Sequence, residues 1–201
     1  MSREVVSPLI LASASPRRRE LLQQAGIPYE VIPSEVCEQA LAGEKPEALV
    51  ERLALAKATA VARRLGVSPR RWVLGADTVV VVDGEVLGKP KNPEHALELL
   101  RRLVGRTHRV LTGIALTATD HSDTQVRHVV SEVVMHPAQE AELSAYVAGG
   151  EPLDKAGAYA AQGEGRRFIQ CIVGSETNVI GLPLEETLDL LQRTRAREEW
   201  V

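Results

Sequence analysis

The sequence has few cysteines, no long hydrophobic run and no excess of positive charge. Its only two cysteines, Cys37 and Cys171, are far apart and form no CxxC pair, so neither a zinc knuckle nor a disulfide framework is predicted. No apolar run approaches the roughly 20 residues that span a bilayer. The formal net charge of −3 argues against a protein that coats nucleic acid. We therefore expect a cytoplasmic protein without a membrane or nucleic-acid partner.

The composition is that of an ordinary globular protein. Hydrophobic residues make up 44% of the 201 residues and charged residues 25%, which is close to the average for soluble domains. A chain of this length can bury a sizeable core. Because no repeat, low-complexity segment or linker is visible, we predict a single domain over residues 1–201.

Helix and strand signals alternate along the chain. Ser15-Pro16 and Asn92-Pro93 have the cap-then-proline pattern of helix starts, and Asp83-Gly84 is the preferred turn of a β-hairpin. The predicted strands are Leu9 to Ala12, Tyr29 to Ile32, Trp72 to Val82, Glu85 to Leu87, Arg109 to Thr117, Val126 to Val134 and Phe168 to Val173. The predicted helices are Pro16 to Ala25, Pro46 to Leu65, Pro93 to Val104, Ala138 to Val147 and one after Pro183, with a frayed end at Arg193 to Val201. This order predicts an α/β fold with a mixed sheet.

Lys57 interrupts the apolar face of the helix predicted at Pro46 to Leu65. It lies four residues after Leu53 and four before Val61, so it falls on the face that packs against the core. One interpretation is a buried ammonium that needs an anion; the other is a stem that covers the core while the charge reaches solvent.

Asp77 and Thr78 interrupt an otherwise apolar strand. A buried carboxylate must be paired, hydrogen-bonded or bound to a metal. Counting back from the Asp83-Gly84 turn places Thr78 opposite Lys89, with an uncertainty of about one residue. We therefore expect Asp77 and Lys89 to be neighbours, either at a functional site or in a structural salt bridge.

The segment from Ser13 to Arg18, SASPRR, lies between a strand and a helix start. Backbone N–H groups, hydroxyls and arginines at such a junction favour a phosphate, although an arginine run after a cap is more often a solvated helix face. The P-loop pattern is absent. This segment is a candidate phosphate cradle.

A long loop is predicted at Gly149 to Gly165, with Gly150 to Tyr159 followed by Gln162. Long loops rich in glycine and polar side chains are commonly functional; the alternative is a solvated surface loop. The five histidines show no metal-ligand spacing, so none is assigned to a metal.

Several ordered motifs resemble the Maf family of nucleoside triphosphate pyrophosphatases, also known as septum-formation inhibitor proteins. The resemblance covers nearly the whole chain. It is carried by Leu11 to Arg18, Glu38, Leu55 to Ala58, Gly75 to Val80, Gly88 to Pro90, His108 to Gly113, Gly150 to Tyr159 and Gly181 to Leu184.

The resemblance implies a fold, a reaction and a setting. Family members have an elongated, two-lobed α/β structure with a deep cleft, related to that of inosine triphosphate pyrophosphatases. They are cytoplasmic hydrolases that use a divalent metal, Mg²⁺ or Mn²⁺, to convert a nucleoside triphosphate to the monophosphate and pyrophosphate. They act on an acid anhydride and are often homodimers.

The resemblance also implies roles for individual residues. Asp77 is the candidate general base or metal-organising carboxylate, and Glu38 is placed at the metal. Lys89 is assigned to the catalytic group with these two acids. The phosphate-binding set comprises Ser13, Arg17, Arg18, Lys57 and Lys89. A triphosphate requires such cations to offset its charge.

Within the family, this chain resembles the branch that acts on dTTP and UTP. The carrying motifs are Ala76 to Thr78 and Asp154 to Gly157 together with Gln162. Thr78 and Gln162 are candidates for hydrogen bonds to the pyrimidine, and Lys155 is assigned to substrate binding. The sequence departs from the usual pattern at Ala160-Ala161 and at Glu176-Thr177.

Our main hypothesis is a pyrophosphatase for dTTP, UTP or modified pyrimidine nucleotides. The alternatives are a 7-methyl-GTP pyrophosphatase of the sister branch, a non-catalytic nucleotide sensor that regulates cell division, and a structural α/β protein with incidental salt bridges.

Overall fold

The computed structural model describes residues 8–193 and divides them into two compact units. The first unit contains residues 8–77, 112–128 and 181–193, and the second contains residues 78–111 and 129–180. The frayed end expected after Arg193 lies outside the described residues. The single-domain prediction for residues 1–201 stays a prediction.

Seven strands and six helices make up the described chain. The strands are β1 (Leu9–Leu11), β2 (Tyr29–Val31), β3 (Trp72–Val82), β4 (Glu85–Leu87), β5 (Thr107–Ala118), β6 (Thr124–Met135) and β7 (Ile169–Val173). The helices are α1 (Pro16–Gln24), α2 (Pro46–Leu65), α3 (Pro93–Leu103), α4 (Glu140–Ala148), α5 (Glu176–Ile180) and α6 (Leu184–Arg193).

The strands form one mixed sheet in the order β2-β1-β3-β5-β6-β7, with β4 paired to β3. Strand β1 is parallel to both β2 and β3, whereas β3–β4 and β6–β7 are antiparallel. Strands β5 and β6 are neighbours joined by residues 119–123, and so short a connection requires antiparallel strands. The mixed α/β fold class predicted from the sequence is confirmed.

The helix starts follow the proline signals in the sequence. Pro16, Pro46 and Pro93 each occupy the first turn of their helix, where a missing N–H costs nothing. Asn92 caps α3 because its Oδ1 accepts a hydrogen bond of 2.8 Å from His95 N. Ser15 makes no side-chain cap bond to α1. Only one of the two predicted polar caps therefore forms.

Small residues bring α2 close to the sheet in the first unit. One core cluster there contains Ile10, Ala12, Ala54, Ala58, Val61, Ala62, Val73 and Ala115. A Cβ at Gly75 of β3 would clash with the Ala54 carbonyl and lie 2.8 Å from Ala58 N. Gly75 therefore permits a close approach of helix and strand, and it lies two residues before Asp77 in β3. That approach lets Lys57, on the same face of α2, reach Asp77.

The second unit has a separate core under α3 and α4. Its fully or nearly buried members include Leu100, Leu103, Val133, Leu143 and Phe168. Burial of each such aliphatic or aromatic side chain contributes roughly 1.5–3 kcal/mol. Each unit thus has its own apolar cluster.

The structure differs from the sequence prediction in two segments. The predicted loop at 149–165 winds into short 3-10 segments at Glu151–Asp154, Ala156–Ala158 and Gly163–Phe168. Helix α5 was also not predicted. These segments have six residues or fewer, which is too short to show a helical period in the sequence.

Across residues 8–193, none of the helices combines the length and the apolar character that crossing a membrane requires.

Candidate active site

The β1–α1 junction holds Ser13 and Arg18 together in the first unit. Ser13 Oγ accepts hydrogen bonds from Arg18 Nη1 at 3.0 Å and from Ser15 N at 3.3 Å. Since both bonds use the oxygen as acceptor, the hydroxyl proton of Ser13 is directed to another acceptor. Such a polarised hydroxyl is suited to donate to a phosphate oxygen.

Arg18 connects this junction to a segment far along the chain. Its Nε donates to the Gly181 carbonyl at 2.8 Å, and its side chain is 9% exposed. Burial lowers the pKa of Arg18, and the nearby Asp77 and Glu38 carboxylates oppose that shift. The solvated helix face that the sequence left open is therefore wrong for Arg18. Arg17, its neighbour, is half-buried.

Lys57 lies between two carboxylates. Its Nζ is 2.7 Å from Asp77 Oδ1 and 2.5 Å from Glu38 Oε1. Lys57 is 6% exposed and Asp77 is 7% exposed, whereas the Glu38 side chain is half-exposed. The buried ammonium with an anion, one of two interpretations of the sequence, is confirmed.

Burial raises the pKa of the Asp77 carboxyl. The positive charges of Lys57 and Arg18 lower that pKa, and the negative charge of Glu38 raises it further, but loss of hydration is the largest cause. The carboxylate of Asp77 is consequently a stronger base than a solvated aspartate. This property suits a group that accepts a proton from water.

A second ion pair fixes the segment that carries Glu38. Arg52 of α2 donates from Nε and Nη2 to the Glu44 carboxylate at 2.6 and 2.7 Å. Arg52 Nη2 also donates to the Gln39 carbonyl, and Leu41 N donates to Glu44. The bidentate fork is a geometrically specific contact. It attaches residues 39–44 to the same helix that carries Lys57.

The other predicted site residues belong to the second unit. Thr78 and Gln162 are half-buried and Lys89 is exposed. Lys155 Nζ donates to the Glu151 carbonyl and to Asp154 Oδ1, both at 2.6 Å.

The strand pairing of the β3–β4 hairpin bears on the predicted position of Lys89. The pairs Val82–Glu85, Val81–Val86 and Val80–Leu87 confirm the register counted from the turn. The paired residues end at Val80 and Leu87, so the ladder does not extend to Thr78 and Lys89. The partner that the structure gives to Asp77 is Lys57. The expected proximity of Asp77 and Lys89 stays a prediction.

A buried neutral pair supports the loop that carries Lys155 and Gln162. His108 Nε2 and Tyr159 Oη lie 2.7 Å apart, and their rings meet edge to face. Burial lowers the pKa of His108 to about 4, so its imidazole is neutral at pH 7. Burial also raises the pKa of Tyr159. The sequence analysis assigned neither residue a role; their separation of 51 positions gave no local signal.

Gly157 lets this loop pass close to β3. It has a φ of 69° and its N–H donates to the Gly88 carbonyl at 3.1 Å. A Cβ there would meet the side chain of Val80 at 3.0 Å. Only glycine combines this left-handed conformation with so little space. The glycine that ends the motif Asp154 to Gly157 is therefore required by the backbone conformation and the close packing at that position.

A family model described as Maf-like protein matches residues 8–194. The chain belongs to the Maf family. The match extends from the residue before β1 beyond the end of α6 and includes every predicted site residue.

Two curated relatives are similar over almost their full length. The chain is 51% identical over 183 residues to the dTTP/UTP pyrophosphatase of Symbiobacterium thermophilum, covering 91% of this chain and 92% of the relative. It is 50% identical over 192 residues to the dTTP/UTP pyrophosphatase of Myxococcus xanthus, covering 96% of this chain and 95% of the relative.

A solved structure with low sequence identity shares the fold. The Staphylococcus aureus Ham1 protein aligns with a TM-score of 0.50 at 17% identity, covering 96% of this chain and 100% of that chain. At this identity the likeness concerns the fold alone.

The Maf chain offers a divalent metal two carboxylates. Among residues 8–193, no group of three or more His, Cys, Asp or Glu side chains could hold a metal, and both cysteines are exposed and free. Asp77 and Glu38 contact one ammonium and therefore lie close to each other. Since Mg²⁺ is commonly held by one or two carboxylates plus substrate phosphates, this pair fits a metal that binds with a triphosphate.

Proposed function

We propose that this Maf-family chain hydrolyses dTTP and UTP to the monophosphate and pyrophosphate. The proposal is supported by the names of relatives about half identical to the chain over more than 90% of its length. The observation that carries the chemistry is the buried contact of Lys57 with Asp77 and Glu38.

Asp77 holds and deprotonates the attacking water in this proposal. The oxygen of water forms a bond to one phosphorus, and the bridging P–O bond between the α and β phosphates breaks. The proton of the water passes to Asp77, whose pKa is raised by burial, and the bridging oxygen leaves with the electron pair. A positioned base of this kind contributes about 10²- to 10⁴-fold to a rate.

Glu38 and Asp77 would hold the divalent cation, Mg²⁺ or Mn²⁺. When bound, that cation offsets the charge of the triphosphate oxygens. Glu38 is suited to this role because its carboxylate is half-exposed. The segment that carries Glu38 is attached to α2 through Arg52 and Glu44.

Hydroxyl and cationic groups bind the phosphate oxygens. Ser13 donates its hydroxyl proton, because its oxygen already accepts from Arg18 and Ser15. Lys57 and Lys89 act as point charges and Arg17 as a planar fork, so they serve different oxygens. Arg18 contributes charge from a buried position and also fixes Ser13.

Thr78 and Gln162 select the pyrimidine in this proposal, and Lys155 binds the substrate. Uracil and thymine present the same carbonyl acceptor where cytosine presents an amino donor. A polar site discriminates against a base that leaves its groups unpaired. Gln162 and Thr78 are half-buried residues.

A homodimer in the cytoplasm, with a role in septum formation, is a further proposal that rests on the family resemblance. Light scattering coupled to gel filtration tests the dimer: a mass of twice 21.8 kDa supports it, and 21.8 kDa contradicts it.

The function is tested by incubating the protein with Mg²⁺ and, separately, dTTP, UTP, CTP and 7-methyl-GTP. Products are separated by chromatography, with a reaction lacking Mg²⁺ as the control. Monophosphate plus pyrophosphate from dTTP and UTP is the expected result. Turnover of 7-methyl-GTP alone would reassign the substrate and the roles of Thr78 and Gln162. Nucleotide binding without turnover under Mg²⁺ or Mn²⁺ would favour the sensor.

A further inference from the structure

Lys57 occupies the position between the two carboxylates that are proposed to hold the metal. Its Nζ lies 2.7 Å from Asp77 Oδ1 and 2.5 Å from Glu38 Oε1. These oxygens are the atoms that a divalent cation would coordinate. An ammonium therefore makes the contacts that a metal held by this pair would make.

The surroundings keep Lys57 in this position. Its stem leaves α2 beside Ala54, Ala58 and Val61, which are fully buried. With only 6% of Lys57 exposed, the ammonium depends on protein partners for charge neutralisation. A buried ammonium without an anion would be costly, so Lys57 stays with the carboxylates until another anion is available.

The two carboxylates already have positive charges beside them. Arg18 and Lys57 are positive, Asp77 and Glu38 are negative, and the pKa of Arg18 responds to both acids. A bare divalent cation would add two positive charges next to Lys57 and would be repelled by it. A triphosphate brings four negative charges and several oxygens, which can bind both the metal and the ammonium.

We propose that Lys57 holds the cation position in the nucleotide-free protein, so that a divalent metal binds tightly only together with a triphosphate that takes over the ammonium. This inference rests on the proposed function, because it assumes a triphosphate substrate and a metal at Glu38 and Asp77. It assigns to Lys57 a role in the order of binding in addition to its contact with phosphate.

The experiment measures Mn²⁺ binding without turnover. The probe is free Mn²⁺, quantified by electron paramagnetic resonance, with wild-type protein, Lys57→Met and Lys57→Gln. Each protein is titrated without nucleotide and with a dTTP analogue that has a methylene group between the α and β phosphorus atoms. Lys45→Met is the matched control, since it removes an exposed positive charge at the start of the same helix.

The proposal predicts weak Mn²⁺ binding by the nucleotide-free wild type and by Lys45→Met. The analogue should raise their Mn²⁺ affinity by at least about tenfold, a coupling of ordinary size. The two Lys57 variants should bind Mn²⁺ at least about tenfold more tightly than wild type without nucleotide, and should gain less from the analogue. In these variants Mn²⁺ should also raise the melting temperature more than in wild type.

Equal Mn²⁺ affinity of wild type and both Lys57 variants without nucleotide would overturn the proposal. If neither variant folds, the wild type alone decides, after subtraction of the Mn²⁺ that the analogue binds without protein. Unchanged Mn²⁺ affinity of the protein on addition of the analogue would then overturn the proposal, and a gain of about tenfold or more would support it. Turnover of dTTP by the wild type distinguishes a failure of this proposal from a failure of the proposed function. Turnover together with equal Mn²⁺ affinities refutes the role of Lys57 and leaves the proposed function standing. Absence of turnover together with the predicted Mn²⁺ pattern refutes the reaction instead.

Discussion

Buried polar side chains differ between the two units of the molecule. Among residues 8–193, the buried side chains that carry a charge at neutral pH are Arg18, Lys57 and Asp77, and all three lie in the first unit. In the second unit the buried polar side chains are His108, Ser131 and Asn178. Those three are neutral, because burial holds the pKa of His108 at about 4.

We interpret this difference between the units as a division of tasks. The buried charges of the first unit belong to the proposed reaction, and the neutral pair of the second unit positions a loop. Buried ions cost folding energy even when paired, and replacing such a pair by apolar groups often stabilises a protein. Ions at 6–9% exposure are therefore better explained by charge on a substrate than by stability. A neutral hydrogen-bonded pair has a smaller desolvation cost and holds its segment in place. The first unit thus contains the buried charged side chains, and in the second unit a buried neutral pair holds a loop.

The largest expected effect is on turnover. Asp77→Asn keeps the shape of the side chain but removes the charge and the base, so we expect kcat to fall by about 10³-fold or more. Pyrophosphate release from dTTP with Mg²⁺ measures it. Circular dichroism should show an unchanged fold.

The control for that variant is Asp83→Asn in the second unit. Asp83 has a φ of 52° and its carboxylate is exposed, and asparagine tolerates this conformation. We expect nearly normal kcat. Comparable loss of kcat in both variants would contradict a special role for Asp77.

A large effect on stability is expected at Gly113 in the first unit. A Cβ there would clash with the Val50 carbonyl and lie 2.8 Å from Glu51 N. Gly113→Ala should lower the free energy of unfolding by about 3 kcal/mol, the upper range for overpacking. The control is Gly88→Ala, where no heavy atom lies within 4 Å of a Cβ. Denaturant titration measures the free energy of unfolding of both variants. Equal losses in the two would refute the close approach of α2 to Gly113.

His108 gives the second unit a specific pH dependence. Above pH 6.5 its imidazole is neutral in both the folded and unfolded states and has no effect. As pH falls from 6.5 towards 4, the unfolded state takes up a proton that the folded state excludes. Stability should therefore decrease by about 1.3 kcal/mol from His108 between pH 7.5 and 5.5.

Denaturant titration at both pH values measures this loss. His108→Gln should lack that component, whereas His136→Gln, which changes an exposed histidine, should retain it. An unchanged pH dependence in His108→Gln would show that the imidazole is not held neutral.

The smallest expected effect compares two helix starts. Asn92→Ala removes the 2.8 Å cap bond to His95 N in the second unit and should cost about 1 kcal/mol. Ser15→Ala in the first unit removes no side-chain cap bond, so its effect should be within about 0.5 kcal/mol. Melting temperatures distinguish the two, and a larger loss in Ser15→Ala would contradict this account of the caps.

Local signals in the sequence predicted most of the fold. The bounds of α2, β3 and β4 agree with the prediction, because proline, glycine and the Asp83-Gly84 turn mark their ends. Lys57 and Asp77 were found because each interrupts an apolar pattern. Such interruptions are visible without knowledge of the tertiary structure.

Contacts between distant parts of the chain could not be predicted in this way. The bond from Arg18 to the Gly181 carbonyl spans 163 positions, and the pair of His108 and Tyr159 spans 51. The contact of Lys57 with Asp77 depends on how closely α2 packs on β3, and Gly75 permits that close approach.

The steady-state kinetics of Tyr159→Phe with dTTP test the division between the two units most directly. The variant removes the 2.7 Å contact with His108 and nothing else of the side chain. We predict a KM raised by about fivefold or more and a kcat within about threefold of wild type, as expected for a residue that positions a binding loop. A kcat lowered as far as in Asp77→Asn, with KM unchanged, would contradict the account, because the neutral pair would then take part in the reaction.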